Sequence, residues 1–218
     1  MNLEEIKKAI REWSIVRTSP ESVLTYLKQG CCFKIERSKF KHWSKNSPKS
    51  LHVYPGIFDG VLKFILIDSE SDKDPSAHKD AISVQNYHKG LSKSEEGFID
   101  KARDGGITVT EALKKMQQWN LFEDAWVYDA VLTEDGIFKA FVVPFVDLTS
   151  QFEGSSIPEN VVFFGLNNNK VDLIFWGLDT AVELITTSGA LKLGEGGIPV
   201  EDLIASVPPF GEEGLGLL

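Results

Sequence analysis

The sequence predicts an α+β fold: a mainly antiparallel sheet built from hairpins, entered by an N-terminal helical hairpin and covered by further helices. Three observations carry this. β-rich runs come in pairs across short turn segments, Asp59-Gly60, Glu134-Asp135-Gly136 and Asn167-Asn168-Asn169, and such turns join antiparallel neighbours. Strand–helix–strand alternation, the mark of a parallel sheet, is weak. The first 30 residues repeat apolar side chains at helical spacing.

In chain order, Leu3, Ile6, Ile10, Trp13 and Val16 make residues 3–16 an amphipathic helix. Glu4 and Glu5 suit its positive end. Ser19-Pro20-Glu21 starts a second helix, with Ser as N-cap and Pro in the first turn, and Gly30 stops it. Cys32–Ile35 reads as a short strand, and 39–49 resists assignment. Leu51–Tyr54 and Val61–Ile67 are strands around Pro55–Gly60. Residues 68–80, DSESDKDPSAHKD, read as a solvated acidic loop, and Ala81–Tyr87 as another strand. A helix from Ser92 or Ser94 to Arg103 ends at Asp104-Gly105-Gly106. The next opens at Thr108 or Thr110 and presents Ala112, Leu113, Met116 and Trp119. Trp126–Leu132 pairs with Ile137–Val146 as a hairpin, and Val161–Leu166 with Val171–Trp176 as the last. Residues 180–192 stay ambiguous. We divide the chain into one domain, 1–193, and a Gly/Pro-rich arm, 194–218, helical only over Pro199–Ser206 and ending in a tail that is mobile or docks.

Composition bounds the function classes. A chain of 218 residues with 42% hydrophobic and 25% charged residues is neither disordered, collagen-like nor a disulfide scaffold. Its two cysteines, Cys31 and Cys32, are adjacent, which suits a reducing cytoplasm better than a disulfide framework; one thiol is expected buried and the other partly exposed. Acids from position 4 argue against a secretory signal. The longest apolar run, Ala140–Val146, is interrupted by Pro144 and falls far short of the roughly 20 residues of a membrane span. A soluble protein with no membrane contact is expected.

The net charge of −9 is unevenly spread: residues 1–109 hold 18 basic and 15 acidic side chains, residues 110–218 hold 5 and 17. The two ends either neutralise each other within one fold or mark surfaces for partners.

No chemical signature stands out. Asp68, Glu70, Asp72 and Asp74 resemble a calcium loop, but Pro75 and Ala81 occupy its glycine and closing-glutamate positions. Asp72, Asp74, His78 and His88 could together hold a zinc or iron ion for metal-assisted hydrolysis. GxSxG is absent, Gly194–Gly197 lacks the lysine of a phosphate loop, and no cofactor is expected. The most distinctive segment is 33–49. Lys34, Arg37, Lys39, Lys41, Lys45 and Lys49 are interleaved there with Phe33, Phe40, His42 and Trp43; Phe40 and Trp43, three apart, suit burial on one helix face. With Trp43 exposed, Lys34, Arg37, Lys39, Lys41, Trp43 and Lys45 would form a partner-binding surface, or hold a single-stranded nucleic acid by backbone charge and base stacking. The acidic balance of the whole chain argues against nucleic acid.

Consecutive aromatics such as Phe163-Phe164 put a ring on each face of a strand. Both faces then need cover, one of them from a partner chain. The expectation is therefore a non-catalytic cytoplasmic interaction or structural protein that binds a protein partner or self-associates as a homo-oligomer. A metal-assisted hydrolase and a single-stranded nucleic-acid binder are the alternatives.

Overall fold

The N-terminal helical hairpin forms as its caps dictate. In the computed structural model, which describes residues 1–89, 107, 109–134, 136–153, 155–178, 186–187, 190–191, 200–201, 205–207 and 214–218, α1 spans Leu3–Val16 and α2 spans Pro20–Leu27. Asn2 and Glu5 close a reciprocal capping box on α1. Ser19 accepts from the Ser22 N–H with Pro20 opening α2. α1 buries Ile6, Ala9, Ile10 and Trp13, and the Trp13 indole donates to the Phe138 carbonyl at 3.0 Å.

Two antiparallel sheets follow. The first is ordered β1–β6–β7–β10: Cys32–Glu36, Glu159–Asn167, Lys170–Leu178 and Val200–Glu201. The second is ordered β11–β5–β2–β3–β4: Ala205–Val207, Ala140–Pro144, Ser50–Phe58, Val61–Asp68 and Ser83–Asn86. Thr186–Thr187 (β8) and Ala190–Leu191 (β9) pair only with each other. The β2–β3 hairpin turns at Asp59 and Gly60, both with positive φ (50° and 78°), and the β6–β7 hairpin at Asn168 and Asn169 (47° and 63°). Aspartate, asparagine and glycine tolerate that region best.

Phe164 sits at the centre of the core between the sheets. Its ring meets Phe64 of β3, Phe141 of β5, Phe138, Tyr87 and Trp119 at centroid separations of 5.2–6.1 Å. Phe163, its neighbour, points to the opposite face and meets Trp176 edge-on at 6.5 Å. There Ile174 and Trp176 pack with Ala112, Leu113 and Met116 of the 23-residue helix α4, Val109–Val131. The second face is therefore covered by the chain's own helix, where we expected a partner. All five tryptophans are buried. The aromatic strands give no reason for self-association.

Three sequence assignments are corrected, and one stretch left unassigned is resolved as helix. Trp126–Leu132 is not a strand: α4 continues through it, because Trp119, Trp126, Val127 and Ala130 recur at helical spacing and all enter the core. The chain therefore passes from helix to strand between α4 and β5, where a hairpin was expected. Residues after Pro144 leave the sheet as α5, Phe145–Phe152, burying Phe145, Leu148 and Phe152. Segment 37–43 is helical, α3, followed by a 3-10 turn over Ser44–Asn46. The region expected as a helix over Pro199–Ser206 supplies β10 and β11 instead. The helix expected over 92–103 lies outside the described residues.

Candidate functional site

The second half of α4 carries a surface that its own packing does not explain. Leu121, Ala125, Tyr128 and Leu132 recur at intervals of four, three and four, so they lie on one side of the helix. They face away from Trp119, Trp126, Val127 and Ala130. Leu121 is 67% exposed, Phe122 53%, Tyr128 46%, and Leu132, just past the helix end, 86%. Asp124 and Asp129 on α4 flank this stripe and Glu134 lies beyond it, with no base among 121–135; Glu123, three or four residues from Trp119, Trp126 and Val127, lies on the opposite, core-facing side. Asp129 lies in the last turn, where no basic residue complements the helix dipole. A carboxylate there opposes the dipole, so this half of α4 gives up local stability for its charge.

The seam between α2 and this face concentrates perturbed ionisations, a feature of functional surfaces as well as structural ion pairs. Lys28 bridges Asp124 at 2.8 Å, and the Tyr128 hydroxyl donates to Glu21 at 3.2 Å. Burial, reinforced by the charge of Asp124 and opposed by Lys28, pushes the Glu123 carboxyl up to about 7. The hydrogen bond to Asp124 raises Lys28, and the bond to Glu21 raises Tyr128. Burial also raises the phenol of Tyr87, which senses the charge of Glu123. The Gly30 backbone lies so close to the Tyr87 ring that a Cβ there would fall 2.6 Å from it, which locks the end of α2 to the strand region. Cys31, half-exposed, and Cys32, buried, are both free thiols.

The basic segment 33–49 is dispersed. Arg37 is a structural clasp: its guanidinium donates to the carbonyls of Ile157 (2.5 Å), Phe152 (2.7 Å) and Ser155 (3.0 Å) and to the Ser155 hydroxyl (2.8 Å). It also lies over the Phe152 ring. Lys34 pairs with Glu159 at 2.9 Å across the β1–β6 ladder. Lys39 donates to the Asp80 carbonyl at 3.3 Å. Trp43 is fully buried and donates to the Ala81 carbonyl at 2.7 Å, so it is corrected from surface residue to core residue. Phe33 and Phe40 are buried too. Lys41 and Lys45 are exposed, with the partly exposed imidazole of His42 beside them, 3.5 Å from Asp80, and the base-stacking platform that a nucleic-acid reading needs is not formed by Phe33, Phe40 or Trp43.

The acidic loop is not the solvated loop expected: Asp68, Ser71 and Asp72 are buried. Asp68 accepts the Glu70 and Ser71 N–H groups. Asp72 accepts from Nδ1 of His52 at 2.7 Å and from the Tyr54 hydroxyl. Asp74 is exposed and held low by the Ser76 hydroxyl and the Ala77 and Ser76 N–H groups. His78 is exposed, and His88 bridges Cys32 at the β1 edge. Asp72, Asp74, His78 and His88 do not converge, and among the described residues no three His, Cys, Asp or Glu side chains form a metal-holding group. The tail docks over this region. Leu215 and Leu217 enter the core. Gly216 lies against the Asp72 carbonyl, closer than any Cβ permits.

His52 and Tyr54 were missed as members of a buried polar group. The signal was the alternation Ser50-Leu51-His52-Val53-Tyr54, which puts three polar side chains on one strand face. No helix among the described residues is long and apolar enough to cross a membrane. Comparison with family models, curated proteins and solved structures finds no match.

Proposed function

We propose that the chain is a protein-interaction module that docks a helix of another protein on the outer face of α4. The carrying observation is the exposed row of Leu121, Phe122, Tyr128 and Leu132 flanked by Asp124 and Asp129. An amphipathic helix presents apolar residues at the same spacing and would fill this row. Charge complementarity selects one whose apolar stripe is flanked by lysine or arginine. A second copy of the chain, stacked α4 against α4, would oppose these acids to one another, so the partner is a different protein. The same acids disfavour an anionic membrane surface. The mode needs no cofactor and no chemistry at the surface.

A synthetic 14-residue helix of leucine and lysine in amphipathic order is a direct probe. It should bind with a Kd on the order of 10 µM, since each buried Leu or Phe contributes about 1.5–3 kcal/mol before the cost of association is subtracted. An equally apolar helix with glutamate in place of lysine should not bind. The double variant Phe122→Ser/Leu132→Ser should lose at least about tenfold in affinity while its melting temperature stays close to wild type, because both side chains are exposed. Equal binding of the two peptides, or no effect of the variant, rejects the reading. A shift of sedimentation to a dimer, abolished by the same variant, would transfer the face to self-association.

A further inference from the structure

One buried group plays no part in that docking surface, and its connectivity is that of an activated nucleophile. Ser50 opens β2 and lies half-buried, paired across the ladder with Pro144 at the end of β5. Its hydroxyl is 3.1 Å from Nε2 of His52. Nδ1 of the same ring is 2.7 Å from Oδ2 of Asp72, a carboxylate with no solvent exposure. The partners assign the tautomer. Nδ1 faces a carboxylate and carries the hydrogen; Nε2 is left with its lone pair toward the Ser50 hydroxyl. Exposure grades in the order such a relay needs, with Ser50 the most accessible, His52 5% exposed and Asp72 sealed. Tyr54 donates to the same Oδ2, fixing the carboxylate from a second side, and Oδ1 has no partner among the described residues. A buried carboxylate so sparsely satisfied favours formation of a cation beside it.

We propose that Ser50 is a nucleophile toward small acyl or phosphonyl electrophiles, with His52 as its general base and Asp72 as a positioning residue. In the step, the Ser50 Oγ forms a bond to the electrophilic carbon or phosphorus, the leaving group departs with the electron pair of its own bond, and the hydroxyl proton passes to Nε2 of His52. Asp72 remains a carboxylate and stabilises the resulting imidazolium. Nothing in the sequence alone marks Ser50, because the motif usual for such a serine is absent and the three residues are set by strand alternation and a loop return, not by a contiguous signature.

A fluorophosphonate tests this on the full chain. The Ser50 oxygen displaces fluoride from phosphorus, and the adduct is read by intact mass and peptide mapping. We expect one adduct, at Ser50, formed at least tenfold faster than at exposed Ser38 and lost in Ser50→Ala. His52→Gln and Asp72→Asn should slow labelling a hundredfold or more, while Ser14→Ala on α1, whose hydroxyl donates to the Ile10 carbonyl, should leave it unchanged. No adduct on the wild-type chain, or an adduct spread over surface serines, overturns the proposal. The wild-type measurement alone decides this, so unfolding of a variant does not protect it.

Discussion

Arg37 shows what one side chain can hold. Its four donated bonds and its position over Phe152 tie the start of α3 to residues 152–157. Lysine has the charge but neither the planar fork nor the donors for this geometry. Arg37→Lys should cost about 2–3 kcal/mol in urea unfolding; a loss below about 0.5 kcal/mol would place Arg37 among ordinary surface cations. Glu123 makes the opposite kind of prediction. Its carboxyl titrates near about 7 in the folded chain against 4.5 ordinarily, so the folded state holds the proton more tightly. The stability this contributes is complete below about pH 4.5 and disappears as pH rises to about 7. Glu123→Gln should therefore stabilise the chain at pH 8 by about 1 kcal/mol, a figure reduced for the group's partial exposure, and change nothing at pH 4.5. Equal melting temperatures at both pH values would contradict the assignment.

Among the elements, those with an intact local code were legible. α1 announced itself through its apolar spacing with Glu4 and Glu5, α2 through Ser19 and Pro20, and the hairpins through Asp59-Gly60 and Asn168-Asn169; the Asn2 cap was not read from the sequence. α4 was legible at its start and misread at its end: AWVYDAVL is rich in residues that favour strands, and only tertiary burial of Trp126, Val127 and Ala130 makes it helical. The exposed stripe was hidden by that same error, since the side chains share a face only if the segment is a helix. The polar group of Ser50, His52 and Asp72 depends on a return of the chain 20 residues later, which no local pattern encodes. The tail is held by shape. Gly216→Ala places a methyl group into the Asp72 carbonyl, so the tail must lift and release Leu215 and Leu217. That should cost about 2 kcal/mol or more and raise hydrogen exchange over 214–218. An unaltered melt with unaltered protection would show that the close approach is not required.

For the whole molecule, the charge division is partly resolved inside the fold. Basic residues of the first half meet acids of the second at Lys34–Glu159 and Lys28–Asp124. The acids around Leu121–Leu132 include Asp129, set against the helix dipole. The apolar argument for a partner has moved accordingly. The aromatics of the strands are enclosed by two sheets and α4; among the described residues the exposed apolar side chains gather on α4, while Met1, Ile15, Val61, Val146 and Leu218 are exposed singly elsewhere. The decisive measurement is chemical-shift mapping of the isotopically labelled full chain during titration with the leucine–lysine helix. Saturable shifts concentrated at Leu121, Phe122, Ala125, Tyr128 and Leu132, with Glu21 and Lys28 following, are the predicted result. Shifts centred on residues 37–49, or none at peptide concentrations of about 1 mM, a hundred times the expected Kd, would contradict it.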